Sequence, residues 1–462
     1  MYGKVLRAIR RMLFLAIMAA SVSGRCLLAA PVPSGAIEAI DRIAGEDIEQ
    51  KKAASYSVAV VKDSELVLAR GYGFSDLEND VPATPETVYR LGSITKQFTS
   101  MAIMQLVEAG KVSLDDELSK FVPDFPTGEH KVTVHHLLNH TSGIQSYTSQ
   151  PEFFAKMRLD LSHNQLLDLF KDKPFSFEPG TKWAYNNSGY YLLGMIIEKA
   201  SGHAYEQYLV EHIFRPLDMS ATHYGHMRPL VRHRAMGYRS MLGQLVNDDP
   251  MSMNPPGAAG ALVSNVLDLV KWHQALEDGK FLSSGSYEAM YRETKLADGA
   301  TRPYGYGWGL GELSGHKKIS HGGGINGFST MIARYPNDRL AVIVLSNTAG
   351  ANPGGVERKI AKVMLGIEDK PVVDLPADAA LLERLVGKYQ VDDRTVELTV
   401  EDGKLYATPQ GRKRDLMKYQ GGGEFVSATD SERRLKFPAD DGPAKGFELE
   451  IGDQKMTARR AE

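Results

Sequence analysis

The sequence predicts an α/β (α+β) protein: an antiparallel sheet flanked by helices, an inserted helical subdomain, and a small all-β barrel-like domain at the C-terminal end. Three observations predict it. Short β-rich runs lie near residue 60 and again near residue 335, far apart in the chain. A long stretch of helical periodicity separates them. After Pro376 the pattern becomes strand after strand.

The early runs are Ser57-Val58-Ala59-Val60-Val61 and Glu65-Leu66-Val67-Leu68-Ala69, joined by the polar turn Lys62-Asp63-Ser64. That is a hairpin pattern. A first helix is expected before them, between Pro31 and Gln50. From Ser93 to about Tyr291 the pattern is mostly helical, punctuated by Pro123, Pro126, Pro179-Gly180, Pro216 and Pro255-Pro256. Strands return over residues 327–334 and 340–345, with Pro336-Asn337-Asp338 between them. Early and late strands are expected to share one sheet. In the last section Val396, Leu398 and Val400 alternate with Glu397, Thr399 and Glu401. Asp402-Gly403 then supplies a two-residue hairpin loop. A sandwich or a small barrel both fit this region. The domain reading is a catalytic domain over 31–370 and a β domain over 376–462.

A chain of 462 residues, 43% apolar and 24% charged, has ample material for a large core. Its net charge of −3 exerts no global pull on nucleic acid, and no nucleic-acid partner is expected. Residues 1–30 read as a signal peptide: Lys4, Arg7, Arg10 and Arg11 precede an apolar run from Met12 to Val22. That run falls short of the roughly 20 residues of a membrane span. Export to the periplasm or the medium is the expectation, with retention by an uncleaved N-terminal segment as the alternative. Cys26 is the only cysteine and lies in this segment, so neither a disulfide nor a thiol nucleophile is expected in the mature chain.

The first candidate for chemistry is Leu91-Gly92-Ser93-Ile94-Thr95-Lys96, which opens an apolar helical stretch that stops at Gly110. Residues three apart share a helix face, so Lys96 can reach the Ser93 hydroxyl. A hydroxyl needs a base to become a nucleophile at neutral pH. Lysine serves only if burial or a nearby cation lowers its pKa from about 10.4. Alone, Ser-x-x-Lys is a weak signal that also fits a helix cap and a solvated lysine. It recurs at Ser314-Gly315-His316-Lys317, a polar, glycine-flanked connection without an apolar helix.

Two further segments strengthen the reading. Tyr185-Asn186-Asn187 stands just before a helix that runs from Gly189 toward Gly202. Tyr185 is placed to relay a proton between Ser93 and a leaving group, and Asn187 to hold Lys96 or the substrate carbonyl; a buried tyrosine and a capping asparagine fit as well. His321-Gly322-Gly323-Gly324 precedes the late strand. Its glycines allow a substrate backbone to approach closely, and the N–H of Gly324 can pair with that of Ser93 as an oxyanion hole. A plain glycine-rich turn with a surface histidine is the alternative.

The order Ser-x-x-Lys, Tyr-x-Asn, His-Gly-Gly resembles the serine β-lactamase and penicillin-binding peptidase superfamily. It is nearest to class C β-lactamases and the esterases and D-amino-acid peptidases related to them. Leu137-Leu138-Asn139-His140-Thr141-Ser142-Gly143-Ile144, Gly110-Lys111-Val112-Ser113-Leu114-Asp115-Asp116 and Gly257-Ala258-Ala259-Gly260 look like that family too, and read as structural turns and caps. The resemblance covers about Ile40 to Gly366 and implies a β-lactamase/transpeptidase-like fold. It implies Ser93 as acylated nucleophile, Lys96 and Tyr185 as the acid/base pair, and Asn187, His321 and Gly323 as substrate-binding groups. The C-terminal part resembles lipocalin-like modules. Class C enzymes carry Lys-Thr-Gly where this chain has His321-Gly322-Gly323, which argues against strong β-lactam hydrolysis.

The function this implies is a serine hydrolase that forms an acyl-enzyme on an amide or ester, acting on D-amino-acid-containing peptides or small esters. A β-lactamase or DD-carboxypeptidase is the alternative, and a non-catalytic penicillin- or peptide-binding protein a third reading. Cell-wall peptide is a candidate partner. Neither a metal nor an organic cofactor is expected. An α/β-hydrolase lacks support because no Gly-x-Ser-x-Gly elbow occurs. His130, His135, His136 and His140 cluster, but without a His-Glu-x-x-His zinc motif.

Overall fold

A computed structural model describes residues 32–368, 371–391, 394–411, 413–429, 433–440, 442–452 and 454–461. The basic and apolar N-terminal segment lies outside the described residues, as do its expected cleavage and its role in export.

The central sheet has seven strands: β1 (Ser55–Lys62), β2 (Glu65–Asp76), β3 (Val81–Pro82), β4 (Gly309–Leu313), β5 (His316–Ile325), β6 (Phe328–Tyr335) and β7 (Leu340–Ser346). Their spatial order is β4-β5-β6-β7-β1-β2-β3, and the neighbouring pairs are antiparallel. Early and late runs therefore meet in the middle, with Val58 opposite Val344. The β1–β2 turn forms at the expected place, with Asp63 and Ser64 both at positive φ.

β1 carries the apolar run Val58–Val61 because both its faces are buried; its serines, Ser55 and Ser57, are buried with hydrogen-bond partners. Val58 and Val60 join Val342 and Val344 under helices α1 (Ala36–Glu49) and α5 (Pro353–Leu365). Ala59 and Val61 join Ile343 and Leu345 on the other face. There they meet α2 (Thr95–Glu108), α3 (Asn187–Ser201) and α4 (Val266–Glu277). Each fully buried Val, Ile or Leu contributes about 1.5–3 kcal/mol, so this second core anchors α2 firmly. Eleven of the fourteen α2 residues are buried.

The middle section is less purely helical than its pattern implies. Leu262–Ser264 pairs with Tyr89–Arg90 and His223–Tyr224, and Tyr238–Met241 pairs with Gln244–Asn247 and Thr348–Ala349. Strands of two to four residues show no readable period, and tertiary partners define them.

The C-terminal strands close into a barrel rather than a sandwich. Closure is made by Tyr389 opposite Arg460. Asp402 and Gly403, both at positive φ, form the expected hairpin turn between Glu401 and Lys404. A short helix, Ala379–Leu385, precedes the first barrel strand where only strands were expected; Asp378 caps it, and Leu382 and Leu385 pack into the barrel core. The barrel meets α5: an added Cβ on Gly452 would lie 2.1 Å from an Arg358 guanidinium nitrogen. This contact is on the sheet face opposite α2.

Candidate active site

Ser93 sits in a single 3-10 turn, Gly92–Ile94, that runs directly into α2. The turn is held from outside. The Leu91 N–H donates to the Leu262 carbonyl, and the Leu91 carbonyl accepts from the Thr330 hydroxyl at 2.8 Å. Leu262 N–H in turn donates to Thr95 Oγ1 at 3.1 Å. Ser93 is half-buried while Lys96, one turn on, is wholly buried.

The Lys96 Nζ has three neighbours: Ser93 Oγ at 3.0 Å, Asn187 Oδ1 at 2.9 Å and the Ala259 carbonyl at 2.8 Å. Two of these only accept hydrogen bonds; the serine hydroxyl can donate or accept. Among the described residues no carboxylate pairs with Lys96. Burial without a counter-charge pushes its pKa well below the ordinary lysine value. A neutral amine fits all three neighbours. In that form its two N–H groups satisfy Asn187 and Ala259 and its lone pair accepts from the Ser93 hydroxyl, whereas an ammonium would donate to all three.

Asn187 is free for this because its neighbour caps the helix. Asn186 Oδ1 accepts from the Gly189 N–H at 2.8 Å, at the start of α3. The Asn187 amide is oriented by Thr148, to whose Oγ1 it donates at 3.1 Å. Ala259 belongs to the Gly257–Gly260 turn, whose small residues let the backbone come close: the Ala258 carbonyl accepts from Thr99 Oγ1 at 2.7 Å. Sequence reasoning read this stretch as a structural turn and missed its carbonyl contact with Lys96. The run of four small residues was the available signal.

Tyr185 stands at the cleft with 38% of its surface exposed, its ring 4.8 Å from Lys96 Nζ. Crowding around its hydroxyl raises the phenol pKa, an effect partly opposed by a hydrogen bond with Ser93. The phenol therefore keeps its proton at neutral pH and is a donor or relay rather than a standing phenolate.

The glycine strand faces the nucleophile turn. A Cβ on Gly323 would fall 1.9 Å from the Leu91 carbonyl oxygen and 2.3 Å from Thr330 Oγ1. One on Gly92, which has φ 54°, would fall 3.0 Å from the Gly324 nitrogen. These close approaches require glycine and place the Ser93 and Gly324 backbones on facing segments. Gly324 itself is exposed. The pairing of β4 with β5 ends at Ser320, so from His321 onward that edge of β5 has no β4 partner. His321 is buried, with Nε2 2.9 Å from the Tyr304 hydroxyl and Nδ1 2.6 Å from the Gly322 carbonyl. Burial and the nearby Lys96 push its pKa down to about 4.

The other histidines disperse. His130 pairs with Glu178, His136 accepts from the Thr133 N–H, and His140 is buried beside Tyr304. Among the described residues no group of three or more His, Cys, Asp or Glu side chains is placed to hold a metal. The second Ser-x-x-Lys match falls apart: Ser314 lies in the β4–β5 hairpin turn at positive φ and Lys317 lies on strand β5 opposite Glu312, so no helix turn brings the two together.

A sheet backed by buried helices, carrying a serine–lysine–tyrosine cluster beside an open glycine edge, is the framework of a serine hydrolase. Residues 40–364 match the Beta-lactamase family, and the chain belongs to it. It is 30% identical over 442 residues to a penicillin-binding protein of Bacillus subtilis (strain 168), covering 90% of this chain and 97% of that one. An octameric penicillin-binding protein homologue from Pyrococcus abyssi superposes with TM-score 0.65 at 29% identity, over 92% of this chain and 100% of the other. The D-amino acid amidase of Ochrobactrum anthropi SV3, in complex with L-phenylalanine amide, gives TM-score 0.65 at 25% identity over 72% and 99%.

Proposed function

We propose that this serine hydrolase works through an acyl-enzyme on Ser93, with Lys96 as resting base, on small esters or D-amino-acid-containing amides and peptides. The observation that carries the reading is the buried Lys96 amine, whose hydrogen-bond partners among the described residues are two acceptors and the Ser93 hydroxyl.

Lys96 takes the Ser93 proton as the serine oxygen bonds to the substrate carbonyl carbon. The carbonyl electrons move to oxygen, and the resulting oxyanion is met by the N–H groups of Ser93 and Gly324. A donor of this kind is worth about 3–4 kcal/mol. Collapse of the intermediate breaks the bond to the leaving amine or alcohol. That group takes a proton from the Tyr185 hydroxyl, which is restored by the Lys96 ammonium. Water attacks the acyl-serine with the same base accepting its proton, and Ser93 is regenerated.

The open stretch of β5 supports neutral substrates over those ending in a free carboxylate. Of the β5 lysines, Lys318 is buried and ion-paired with Glu357 at 2.8 Å and Lys317 lies at the far end of the strand opposite Glu312, while His321 is uncharged near neutral pH. Along the glycine stretch that faces Ser93, residues 321–324, β5 therefore offers no cation to a carboxylate. The similarity to a D-amino acid amidase supports the same choice. We further propose export, on the basic and apolar N-terminal pattern, which brings cell-wall peptides within reach.

Labelling with a fluorophosphonate followed by peptide mass mapping should place one adduct on Ser93; a fold-intact protein with no adduct there removes the proposal. A panel of p-nitrophenyl ester, D-amino-acid anilide and nitrocefin then ranks substrates. Nitrocefin as the best of the three would favour the β-lactamase reading.

A further inference from the structure

Behind the cleft, two histidines and a tyrosine form a directional chain between two of its walls. The backbone N–H of Asn186, between Tyr185 and Asn187, donates to His140 Nδ1 at 3.1 Å. A neutral His140 must then carry its proton on Nε2, which lies 3.1 Å from the Tyr304 hydroxyl. At the other end, His321 Nδ1 lies 2.6 Å from the Gly322 carbonyl, so that nitrogen is the donor. Its Nε2 is then an acceptor, and the Tyr304 hydroxyl stands 2.9 Å away. Polarity is consistent at every link: Asn186 N–H to His140, His140 to Tyr304, Tyr304 to His321, His321 to the Gly322 carbonyl.

We propose that Tyr304 is a positioning residue: its hydroxyl, backed by His140, locks neutral His321 and so fixes the Tyr185–Asn187 loop against the glycine strand that carries Gly324. This rests on the acyl-enzyme reading for its catalytic meaning, though not for its geometry.

Tyr304 is well held for the task. It lies in Tyr304-Gly305-Tyr306-Gly307-Trp308, just before β4. A Cβ on Gly305 would meet the Met290 carbonyl oxygen at 2.1 Å, and one on Gly307 the Lys96 carbonyl oxygen at 2.7 Å. The segment is thus clamped between the helix carrying Met290 and α2. The rings of His140 and His321 lie 4.8 Å and 5.7 Å from that of Tyr304. The charged or titratable groups facing the two histidines are Lys96, Tyr185, Tyr190 and Tyr304. Among the described residues no carboxylate pairs with either ring. Burial opposes protonation of both rings, which keeps the chain in its neutral form.

A consequence concerns specificity. Both nitrogens of His321 are committed, so it offers no N–H to a substrate. Polar groups of the substrate along that wall meet the β5 backbone instead.

The test is two-bond nitrogen–proton NMR of the imidazole rings in the wild-type full chain, with Tyr304→Phe alongside. At pH about 7, His140 should be the Nε2–H tautomer and His321 the Nδ1–H tautomer, both neutral. Tyr304→Phe keeps the ring and removes one O–H. It should raise the His321 titration midpoint toward the ordinary value, move the acid limb of kcat/KM upward with it, and lower kcat/KM by about 10- to 100-fold. A charged His321, or either ring in the opposite tautomer, overturns the proposal even if Tyr304→Phe does not fold. So does a folded Tyr304→Phe with an unchanged midpoint and kcat/KM within twofold of wild type. Failure of Ser93 to label would sink the acyl-enzyme reading while leaving the tautomer result to stand by itself.

Discussion

Replacing Lys96 with Met separates the chemistry of this side chain from its packing. Met keeps most of the volume of a wholly buried residue and removes the amine. The Ser93 hydroxyl loses its amine neighbour at 3.0 Å, and among the described residues no carboxylate or histidine hydrogen-bonds to it in its place. General base work of this kind is worth about a hundredfold to ten-thousandfold, or roughly 3–5 kcal/mol of transition-state stabilisation. The stability balance is different. Asn187 Oδ1 and the Ala259 carbonyl each lose a donor, at about 1–3 kcal/mol apiece. Against this, the variant no longer has to strip a proton from a lysine whose pKa burial holds well down. These terms oppose each other and are of similar size, so the melting temperature should move only a few degrees. The assay is the pre-steady-state burst of p-nitrophenol from an activated ester, with calorimetry on the same samples. A burst rate within tenfold of wild type would refute the proton-acceptor role. Loss of activity only in step with loss of the folded state would refute it too.

Other predictions concern the frame around the nucleophile. Ser93→Ala should abolish turnover and labelling while leaving the circular dichroism unchanged; residual acylation elsewhere in the cleft would contradict the assignment. Gly323→Ala places a Cβ against the Leu91 oxygen at 1.9 Å and should cost several kcal/mol or prevent soluble expression. Gly324→Ala meets nothing within 4 Å and should fold with stability within about 0.5 kcal/mol of wild type, read by urea unfolding. Equal stability of the two variants would show that β5 does not press on the nucleophile turn. Stability should fall as pH drops from about 6.5, because unfolded imidazoles bind protons that the folded His140, His273 and His321 refuse. His321 is held at about 4 and His273 at about 3, while burial and neighbouring charge keep His140 well below the ordinary value. Each adds up to about 1.4 kcal/mol per pH unit between its folded value and about 6.5. Urea midpoints that are the same at pH about 7 and about 5 would contradict this.

The nucleophile turn was readable because Ser93 and Lys96 are three residues apart, and local spacing determines which side chains meet on a helix. The shared sheet was readable because β1 and β7 hold the apolar runs Val58–Val61 and Leu340–Leu345, and β6 is rich in β-formers between a glycine and a proline turn. What eluded the sequence depends on partners distant along the chain. Asn187 was placed at Lys96 by the Tyr-x-Asn pattern, but that its neighbour Asn186 caps α3 had no local signal. The Ala259 contact is made by a backbone carbonyl, which every residue type carries. Tyr304 reaches His140 across 164 positions, and no motif announces the meeting. Barrel closure likewise depends on the first and last strands pairing, while each hairpin looks alike in a sandwich or a barrel.

The central claim is that the Lys96 amine is uncharged in the resting enzyme. A heteronuclear NMR titration of its side-chain nitrogen, assigned by comparison with Lys96→Met, measures this directly. The account predicts a neutral amine near pH 7 and a midpoint well below 10.5. An ammonium signal that persists to pH about 10 would contradict it.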